Sequence, residues 1–482
     1  MDARAPVTPA SERGRYAVLA PDWLLRGYAD RPAVLYDWRT GEAHTLSPAA
    51  GYVARACDGA TDFTAPFFLP AHRATLDLML EKGMARECGP GTALDPRQAL
   101  RTAPNRYLPF VNWAVTGRCN LRCRHCYMDA PDARYGELPT ADLFRIAGQL
   151  ERAGVQRVHL TGGEPLLRDD LWDLLRELAE RRIGVHQIST NGLLLDDDAL
   201  AALRASECDP IVHFSYDGVG SHDSMRGTDG VDEPTVDAMI RTVAAGFRVT
   251  VTSSLDAVTA GGIEATLELL AGLGATAWHV SAPLEVGRWQ GSTTGLSLAR
   301  QAEVSEAIVR RWLELGRPLL LTVCGMYAGS PGAVEQPREP LHRCVPEEQH
   351  CGALLNDVAY VMPDGTLVPC PRFLGTPIHG AMPSLLEVEL GAAWEDPALR
   401  ELVSVTKAQV LERNQECAAC AEFADCGAGC WALAYRQTGD LLARDAAACE
   451  LWKSGYRRRL FAVAAEVYPP AAGAVAPAES MC

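Results

Sequence analysis

The chain has very little lysine. Of its 45 basic residues only Lys82, Lys407 and Lys453 are lysines, and 61 acidic residues give the 482-residue chain a formal net charge of −16. Nucleic acids are polyanions that proteins bind through basic patches, so a chain this acidic is not expected to bind them. The first hundred residues also lack a basic cluster, which argues against DNA binding by that part of the chain.

Long apolar runs are absent as well. None reaches the ~18 residues that a membrane-spanning helix requires, and the chain opens without the charged and apolar segments of a signal peptide. These absences predict a cytoplasmic protein with no membrane contact. Because cytosolic thiols stay reduced, the 16 cysteines are not expected to form a disulfide framework.

Three of the cysteines are closely spaced after an apolar segment at residues 110–115. Cys119, Cys123 and Cys126 form the pattern C-x3-C-x2-C. A cubane of four irons needs four ligands and this pattern supplies three thiolates, so one iron would stay free to bind a small molecule. A zinc site and free core thiols are the alternatives, although zinc sites usually show paired C-x2-C elements and a fourth ligand.

The pattern resembles the signature of the radical S-adenosylmethionine enzymes. The resemblance implies a 4Fe-4S cluster that cleaves S-adenosylmethionine, so that a 5′-deoxyadenosyl radical abstracts hydrogen from a substrate. A glycine-rich turn is expected to approach the cofactor closely through its backbone, and two later strand ends are expected to reach its ribose and carboxylate. The residues expected to contact the cofactor are Gly162, Gly163, Glu164, Pro165, Thr190, Asn191, Ser215, Asp217 and Arg226. For Arg226 the alternative is an ordinary surface arginine.

Strand and helix patterns alternate through the middle of the chain. Strands are predicted at 110–115, 155–160, 185–189, 211–214, 249–253 and 277–281, and helices between them include 140–153, 263–273 and 300–315. Repeated β–α units of this length imply parallel strands with right-handed crossovers. The fold class is therefore α/β, and six units resemble the partial (β/α)6 barrel of the radical SAM family, here at residues 109–325. Ligands then belong at the carboxyl ends of the strands.

Eight more cysteines lie in the last third of the chain. Their spacing closely matches the SPASM domain, an extension that carries auxiliary iron–sulfur clusters, and predicts this domain at residues 326–460. The resemblance implies two further 4Fe-4S clusters, three in all. Cys351, Cys370 and Cys430 would hold the first, with Cys344 as fourth ligand, and Cys417, Cys420, Cys426 and Cys449 the second. Without Cys344 the first cluster would keep an open iron; structural zinc is the alternative.

Five cysteines remain outside these patterns: Cys57, Cys88, Cys208, Cys324 and Cys482. Most are expected to be core or surface thiols. One of them could donate a hydrogen atom to a substrate radical, as a cysteine does in radical epimerases. Cys324 is the candidate, because it follows the apolar run at 319–323.

Residues 1–90 are predicted to form a separate unit. Short apolar runs at 23–26 and 33–36 and a returning strand at 43–46 precede helices at 48–57 and 71–81. This order resembles the winged-helix-like RiPP recognition element, which binds the leader of a ribosomally made precursor peptide as an added strand at an open sheet edge. A plain structural cap is the alternative.

The segments outside these units are also assigned from their composition. Residues 91–108, which begin at the last residue of Gly89-Pro90-Gly91, are expected to be a linker. Residues 461–482, rich in proline and alanine, are expected to be a disordered tail.

Together the three resemblances imply a peptide maturase. The front unit would bind the leader of a precursor peptide, the radical would act on its core, and a reductant such as flavodoxin or ferredoxin would supply electrons. The expected product is a thioether or a carbon–carbon crosslink. Peptide epimerisation, maturation of a peptide-derived cofactor, and an iron–sulfur electron carrier or adaptor without catalysis stay open as alternatives.

Overall fold

The computed structural model describes residues 14–331 and 358–467. Its front part consists of two small sheets and two helices. The elements are β1 (Tyr16–Leu19), β2 (Trp23–Tyr28), β3 (Arg31–Asp37), β4 (Ala43–Thr45), α1 (Pro48–Ala56), α2 (Pro70–Glu81), β5 (Ala85–Cys88) and β6 (Arg101–Thr102). One sheet has the order β4-β3-β2-β6, and β1 and β5 form a separate antiparallel pair. The helices begin where expected: the Ser47 side chain accepts a hydrogen bond from the Ala50 amide, and Pro48 occupies the first helical position.

The segment 91–108 is packed, so the expectation of a simple linker is wrong. β6 pairs with β2, and Ala103, Asn105 and Leu108 are buried. The amide of the Asn105 side chain donates to the Ala153 carbonyl at 3.1 Å. These side chains fill the junction between the front sheet and the central part of the molecule, which is why the segment is not a loose connection.

The central part is an α/β unit built on a mostly parallel sheet. Its elements are β7 (Phe110–Thr116), α3 (Thr140–Arg152), β8 (Arg157–Gly162), α4 (Leu171–Glu180), β9 (Gly184–Thr190), α5 (Asp197–Ala205), β10 (Ile211–Ser215), α6 (His222–Arg226), α7 (Asp232–Ala244), β11 (Val249–Ser254), α8 (Ile263–Leu273), β12 (Ala277–Ser281), α9 (Leu298–Glu314), β13 (Leu320–Val323) and β14 (Tyr327–Gly329). The strands β7 to β13 pair in sequence order and in parallel.

Six β–α units were expected, and the sheet extends beyond them. The apolar run at 319–323 forms β13, which adds a seventh parallel strand beside β12. The last part of the chain adds strands at both edges of this sheet: β14 pairs with β13, and β15 (Val358–Val361) lies parallel to β7. Hydrogen-bonded pairing between strands therefore continues across the predicted domain boundary at residue 325.

The two faces of the central strands differ in polarity. One face is apolar and packs under the helices, with Val111, Trp113, Phe214 and Trp278 among its buried side chains. The other carries a row of polar side chains: Asn112, His159, Gln187, Ser189, His213, Thr250, His279 and Thr322. These side chains bond across neighbouring strands, for example His213 Nδ1 with Thr250 Oγ1 at 2.7 Å.

The last part of the chain is mostly short helices. After β15 come β16 (Leu367–Val368), α10 (Pro377–Gly380), α11 (Leu390–Trp394), α12 (Pro397–Val403), α13 (Lys407–Arg413), α14 (Gln415–Ala418), α15 (Phe423–Cys426), α16 (Trp431–Thr438), α17 (Ala446–Lys453) and α18 (Tyr456–Val467). The expected disordered tail is wrong for residues 461–467, which lie in α18. This helix packs on α9 and buries Leu460 and Val463. Among the described residues, no helix combines the length and apolar character needed to cross a lipid bilayer.

Candidate functional site

The three cysteines of the C-x3-C-x2-C pattern lie in the loop that follows β7. Cys119, Cys123 and Cys126 line one cavity together with residues at the carboxyl ends of β8, β9, β10 and β11. The cavity encloses about 910 Å³ of atom-free space, open solvent included, which is within the size range of ligand sites. The fold therefore brings the three cysteines and the strand ends together around one cavity.

The cysteine loop is held by backbone hydrogen bonds to α6. The Arg122 amide donates to the Arg226 carbonyl at 3.1 Å, and the Arg124 amide donates to the Met225 carbonyl at 2.9 Å. Gly227, which ends α6, has φ +64°, and a Cβ there would lie 2.5 Å from the Arg122 carbonyl oxygen. A glycine is required at this point so that the helix end and the loop can approach each other.

The glycine-rich turn also contacts the cysteine loop. Gly162 has φ +144°, and a Cβ there would lie 2.4 Å from the Thr116 carbonyl oxygen; a Cβ at Gly163 would lie 2.0 Å from that of Arg118. The Gly163 amide donates to the Thr116 carbonyl at 2.8 Å. Close approach to a ligand was the expected reason for these glycines. The contact seen here is with the backbone of the cysteine loop, although both glycines also line the cavity.

Glu164 is fully buried and its carboxylate is occupied by protein groups. It accepts hydrogen bonds from the Asn191 amide at 2.7 Å, the Thr190 hydroxyl at 2.9 Å and the Leu166 amide at 3.1 Å. Burial raises the pKa of Glu164 to about 7, and these hydrogen bonds oppose the shift. Glu164 is not among the residues that line the cavity, so the structure does not place it in the expected contact with a cofactor. Pro165, which follows it, is buried in a short turn.

Thr190, Asn191 and Ser215 lie on the cavity wall as expected. The side-chain amide of Asn191 donates to the Asn120 side-chain oxygen at 2.7 Å, so the end of β9 is tied to the cysteine loop between Cys119 and Cys123. The Thr190 hydroxyl is used by Glu164. The Asn191 side-chain oxygen also accepts the Leu193 amide at 3.1 Å, so the second N–H of the Asn191 amide group and the Ser215 hydroxyl are the polar groups left to face the cavity.

Asp217 and Arg226 form a buried ion pair, so the alternative of a surface arginine is wrong. Arg226 Nη2 lies 2.9 Å from Asp217 Oδ2, and the side chains are 5% and 1% exposed. Asp217 also accepts the Ser254 amide at 2.8 Å. Arg226 lines the cavity and donates from Nη1 to Cys123 Sγ at 3.6 Å, whereas Asp217 is absent from the cavity wall and acts through Arg226.

Several cavity residues were missed by the sequence analysis. His125, Tyr127, Thr161, Ser189, His213 and Thr252 also line the wall. Burial lowers the pKa of His125 to about 4 and that of His213 to about 3, so both rings are neutral near pH 7. His125 and Tyr127 flank the third cysteine, which was the available signal for them. For His213 the sequence offers a weaker signal, because it appears there only as one polar residue inside an apolar strand.

The donor set fits an iron–sulfur cluster that binds a polar cofactor. Burial raises the pKa of the Cys119 thiol to about 12 and also raises that of Cys126, so a metal cation is needed to hold these sulfurs as thiolates. Two buried nitrogens at the cavity, His125 Nδ1 and Arg226 Nε, have no hydrogen-bond partner among the described residues. Unpaired buried donors and acceptors are costly, so this arrangement favours an additional ligand.

The described side chains do not converge on a site for a single metal ion. In residues 14–331 and 358–467, no group of three or more His, Cys, Asp or Glu side chains is placed to hold a metal ion. Zinc, the alternative at both cysteine clusters, requires its ligands to converge on one ion. The thiols of a cubane bind different irons, so their arrangement around an open cavity is compatible with a cluster.

The cysteines near the end of the chain form two neighbouring groups. Cys417, Cys420, Cys426 and Cys449 line a second cavity of about 390 Å³. Cys370 and Cys430 lie beside Arg372, whose amide donates to Cys370 Sγ at 3.5 Å and whose Nη1 contacts Cys430 Sγ at 4.0 Å. Cys344 and Cys351, expected with this second pair, lie outside the described residues, as does Cys482.

Asp445 joins these two groups and was missed by the sequence analysis. Its Oδ2 accepts from the Cys430 amide at 3.1 Å, and its Oδ1 accepts from the Ala447 amide at 3.0 Å at the start of α17, the helix that carries Cys449. A Cβ at Gly429 would lie 2.6 Å from the Asp445 Cβ. The cysteines of the two groups alternate along the chain, and Asp445 links the two groups directly in the fold.

Cys324 does not lie where a hydrogen-atom donor is needed. It follows β13 with φ +49°, its amide donates to the Val280 carbonyl at 2.8 Å, and it packs against the main core. Burial raises the pKa of its thiol to about 11. Cys324 is not among the described residues that line the cavity, so the expected role finds no support in its position.

Residues 113–281 match the family model described as the Radical SAM superfamily. Over 139 residues the chain is 37% identical to the mycofactocin maturase MftC of Mycobacterium ulcerans, a match that covers 28% of this chain and 37% of that protein. Over 193 residues it is 30% identical to the AdoMet-dependent heme synthase of Methanosarcina barkeri, covering 39% and 54%. The chain therefore spans about a third to a half of the length of these relatives.

A solved structure matches over a much larger share of the chain. The crystal structure of Streptococcus suis SuiB bound to precursor peptide SuiA superposes with a TM-score of 0.63 over 90% of this chain and 99% of that one, at 15% sequence identity. Identity this low establishes the fold alone. The chain has the radical SAM α/β fold with a mostly parallel central sheet.

Proposed function

We propose that this chain is a radical S-adenosylmethionine enzyme that modifies a ribosomally made precursor peptide. One observation carries the proposal: the three thiols of the C-x3-C-x2-C loop share a cavity with Asn191, Ser215 and Arg226 at neighbouring strand ends. A relative that is named a mycofactocin maturase and a fold match that was crystallised with a precursor peptide support the choice of substrate.

Cys119, Cys123 and Cys126 would hold the 4Fe-4S cluster, which supplies the electron that cleaves S-adenosylmethionine to a 5′-deoxyadenosyl radical. Side chains of the chain itself would bind and orient the cofactor. The Arg226 guanidinium, fixed by Asp217, presents a positive charge beside Cys123 to a carboxylate. Asn191 and Ser215 offer hydrogen bonds to hydroxyl groups, as expected for ribose and amino-acid contacts.

A segment after β12, residues 286–294, packs on the cysteine loop. A Cβ at Gly287 would lie 2.4 Å from the Cys126 carbonyl oxygen, and the Arg288 amide donates to that oxygen at 3.0 Å. Arg124 reaches this segment through the Thr294 hydroxyl at 2.7 Å and also lies 3.6 Å from the buried Asp256 carboxylate. These contacts fix the position of the backbone at Cys126, one of the three proposed cluster ligands.

Two auxiliary clusters complete the proposed redox equipment. Cys417, Cys420, Cys426 and Cys449 around one cavity would hold one of them, and Cys370 and Cys430 would hold the other together with Cys344 and Cys351. Such clusters cover a wide range of reduction potentials and could accept the electron left over when a thioether or carbon–carbon bond closes. Flavodoxin or ferredoxin would reduce the first cluster.

The front unit is proposed to bind the leader of the precursor. β4 ends its four-stranded sheet and, within residues 14–331 and 358–467, pairs with a strand on one side only, so a peptide could add there as a further strand. Exposed apolar side chains also concentrate in this unit: Phe67 is 59% exposed and Leu69 57%, and Tyr52 contacts Phe68 beside them. Exposed apolar side chains grouped in this way indicate an interaction site.

The proposed activity can be tested directly. Anaerobically reconstituted protein, incubated with S-adenosylmethionine and dithionite, is expected to release 5′-deoxyadenosine. After co-expression with a short open reading frame chosen from the neighbourhood of its gene as the candidate precursor, mass spectrometry is expected to show loss of two hydrogens for a crosslink and no mass change for epimerisation. Protein that binds iron but releases no 5′-deoxyadenosine would be an electron carrier or adaptor.

Leader binding is tested with surface variants of the front unit. Tyr52→Ser, Phe67→Ser and Leu69→Ser together should weaken binding of a fluorescent peptide from the first half of that reading frame by about tenfold or more, since buried apolar anchors dominate such interfaces. Fluorescence anisotropy measures the dissociation constant. Ile240→Ser with Val258→Ser, also exposed, is the matched control, and an equal dissociation constant for both variants would remove the leader-binding role.

A second substrate class is favoured by one comparison. Heme synthases that use S-adenosylmethionine are among the relatives, so the central segment by itself is compatible with a small molecule. The front unit argues for a peptide, and maturation of a peptide-derived cofactor would satisfy both. The absence of a bound leader in the anisotropy experiment would favour the small molecule.

A further inference from the structure

Two tyrosines meet at the cavity wall. Tyr127 follows the third cysteine of the loop, lines the cavity, and its hydroxyl lies 2.6 Å from the hydroxyl of Tyr360. Tyr360 belongs to β15, the strand that pairs in parallel with β7. A distance this short means that one hydroxyl donates to the other. Tyr127 on the cavity wall and Tyr360 in the last part of the chain are therefore joined by a hydrogen bond.

The surroundings of this tyrosine pair are apolar. Tyr360 packs in a buried cluster with Ala114, Met128 and Met362, and Tyr127 packs against that cluster together with Cys126. A buried hydroxyl that had no partner would be costly. In this cluster the hydroxyls of Tyr127 and Tyr360 bond to each other, and this hydrogen bond fixes the positions of the two phenol groups.

The pair also connects the two cysteine regions. Tyr127 is adjacent to Cys126 in the chain, and Tyr360 pairs between β15 and β16 with Val368, two residues before Cys370. Tyr127 in this position would be able to exchange a hydrogen atom with a molecule in the cavity. It would also be able to exchange an electron with a metal centre held by the later cysteines. Cys324, the donor expected from the sequence, has no access to the cavity wall.

We propose that Tyr127, with Tyr360 as its proton partner, is a hydrogen-atom donor to carbon radicals in the cavity. The inference rests on the proposed function and deepens it. A phenolic O–H bond is weaker than an aliphatic one because the phenoxyl radical is delocalised, and the other hydroxyls on this wall, such as Ser189 and Thr252, are aliphatic.

The step balances in atoms and electrons. The Tyr127 O–H bond breaks and a C–H bond forms, so the carbon radical becomes a closed-shell product and Tyr127 becomes a neutral phenoxyl radical. The phenoxyl radical would then take one electron from a reduced iron–sulfur centre and the hydroxyl proton of Tyr360, and Tyr360 would regain a proton from solvent, which restores both phenols. The substrate is neither oxidised nor reduced overall, so this donor favours epimerisation over a crosslink.

The donor is tested without a peptide. S-adenosylmethionine and dithionite are added to the reconstituted protein in D₂O, where phenolic hydrogens exchange with solvent. We expect most of the released 5′-deoxyadenosine to carry one deuterium, and Tyr127→Phe to lower that fraction by about tenfold. Tyr135→Phe is the matched control, since Tyr135 is a buried member of the same apolar cluster, and its labelled fraction should equal that of the wild type.

Electron paramagnetic resonance provides a readout that is independent of product yield. Freeze-quenched wild type should show a phenoxyl signal whose width depends on D₂O, because the hydrogen bond from Tyr360 couples to it. The signal should be lost in Tyr127→Phe and should lose its solvent dependence in Tyr360→Phe. Unlabelled 5′-deoxyadenosine from the wild type, or equal labelling in Tyr127→Phe, overturns this inference alone, whereas no 5′-deoxyadenosine at all overturns the proposed function with it.

Discussion

Replacing Cys119, Cys123 and Cys126 together by alanine is expected to abolish the release of 5′-deoxyadenosine while leaving about eight irons in each chain, four in each of two remaining cubanes. The reason is spatial: these thiols line the cavity at the strand ends, whereas those later cysteines that the structure describes surround a separate cavity or lie beside Arg372. Iron analysis and chromatography of the nucleoside measure the two effects on the same sample.

The converse variant separates the clusters further. Replacing Cys417, Cys420, Cys426 and Cys449 by alanine should remove about four irons and leave cleavage of S-adenosylmethionine in place. Cys88→Ala with Cys208→Ala is the control for thiol loss, because neither thiol lies on the wall of either cavity. An iron content near zero in the first triple variant would show that the later cysteines hold no clusters.

Strand and helix positions were largely predictable because the local signals agree with the fold. The helix at 263–273 and the strand at 277–281 have the predicted bounds, since apolar periodicity is interrupted there by Gly274, which has φ +90°. The additional strand β15 was not predictable in this way. Its pairing with β7 joins residues about 250 positions apart, and nothing local encodes that contact.

The candidate site was located by motif, but the roles of its residues were not. Spacing alone placed Gly163 and Glu164 at a strand end. It could not distinguish a glycine that faces a ligand from one that admits the Arg118 carbonyl, or a carboxylate on the cavity wall from one held by Thr190 and Asn191. These distinctions depend on how two loops approach each other in space.

The polar face of the sheet was missed for a related reason. His159, His213 and His279 each interrupt a short apolar strand, and a single polar residue in such a strand has no periodicity of its own. In the fold they come together: His159 bonds to Asn112 and Ser189, and the ring centroids of His213 and His279 lie 6.3 Å apart. Side chains become a polar surface only when parallel pairing puts them in register.

Replacing Arg226 by methionine is expected to lower the free energy of unfolding by about 3–5 kcal/mol, because it leaves the buried Asp217 carboxylate without its counter-charge. Both side chains are at most 5% exposed, so water cannot take over the role of the guanidinium. Urea denaturation of the reconstituted protein measures the change. Arg310→Met, which breaks an exposed ion pair with Glu306, is the matched control and should cost less than about 1 kcal/mol.

A double variant tests whether the loss comes from the charge. Adding Asp217→Asn to Arg226→Met removes the unpaired carboxylate but keeps an oxygen that can accept the Ser254 amide. At least half of the lost stability should therefore return, although the affinity for S-adenosylmethionine should stay low because the positive charge beside Cys123 is gone. This separation of stability from affinity distinguishes a cofactor-facing arginine from a purely structural one. If Arg226→Met costs no more than Arg310→Met, the ion pair does not organise the cavity, and the cofactor carboxylate must find another partner.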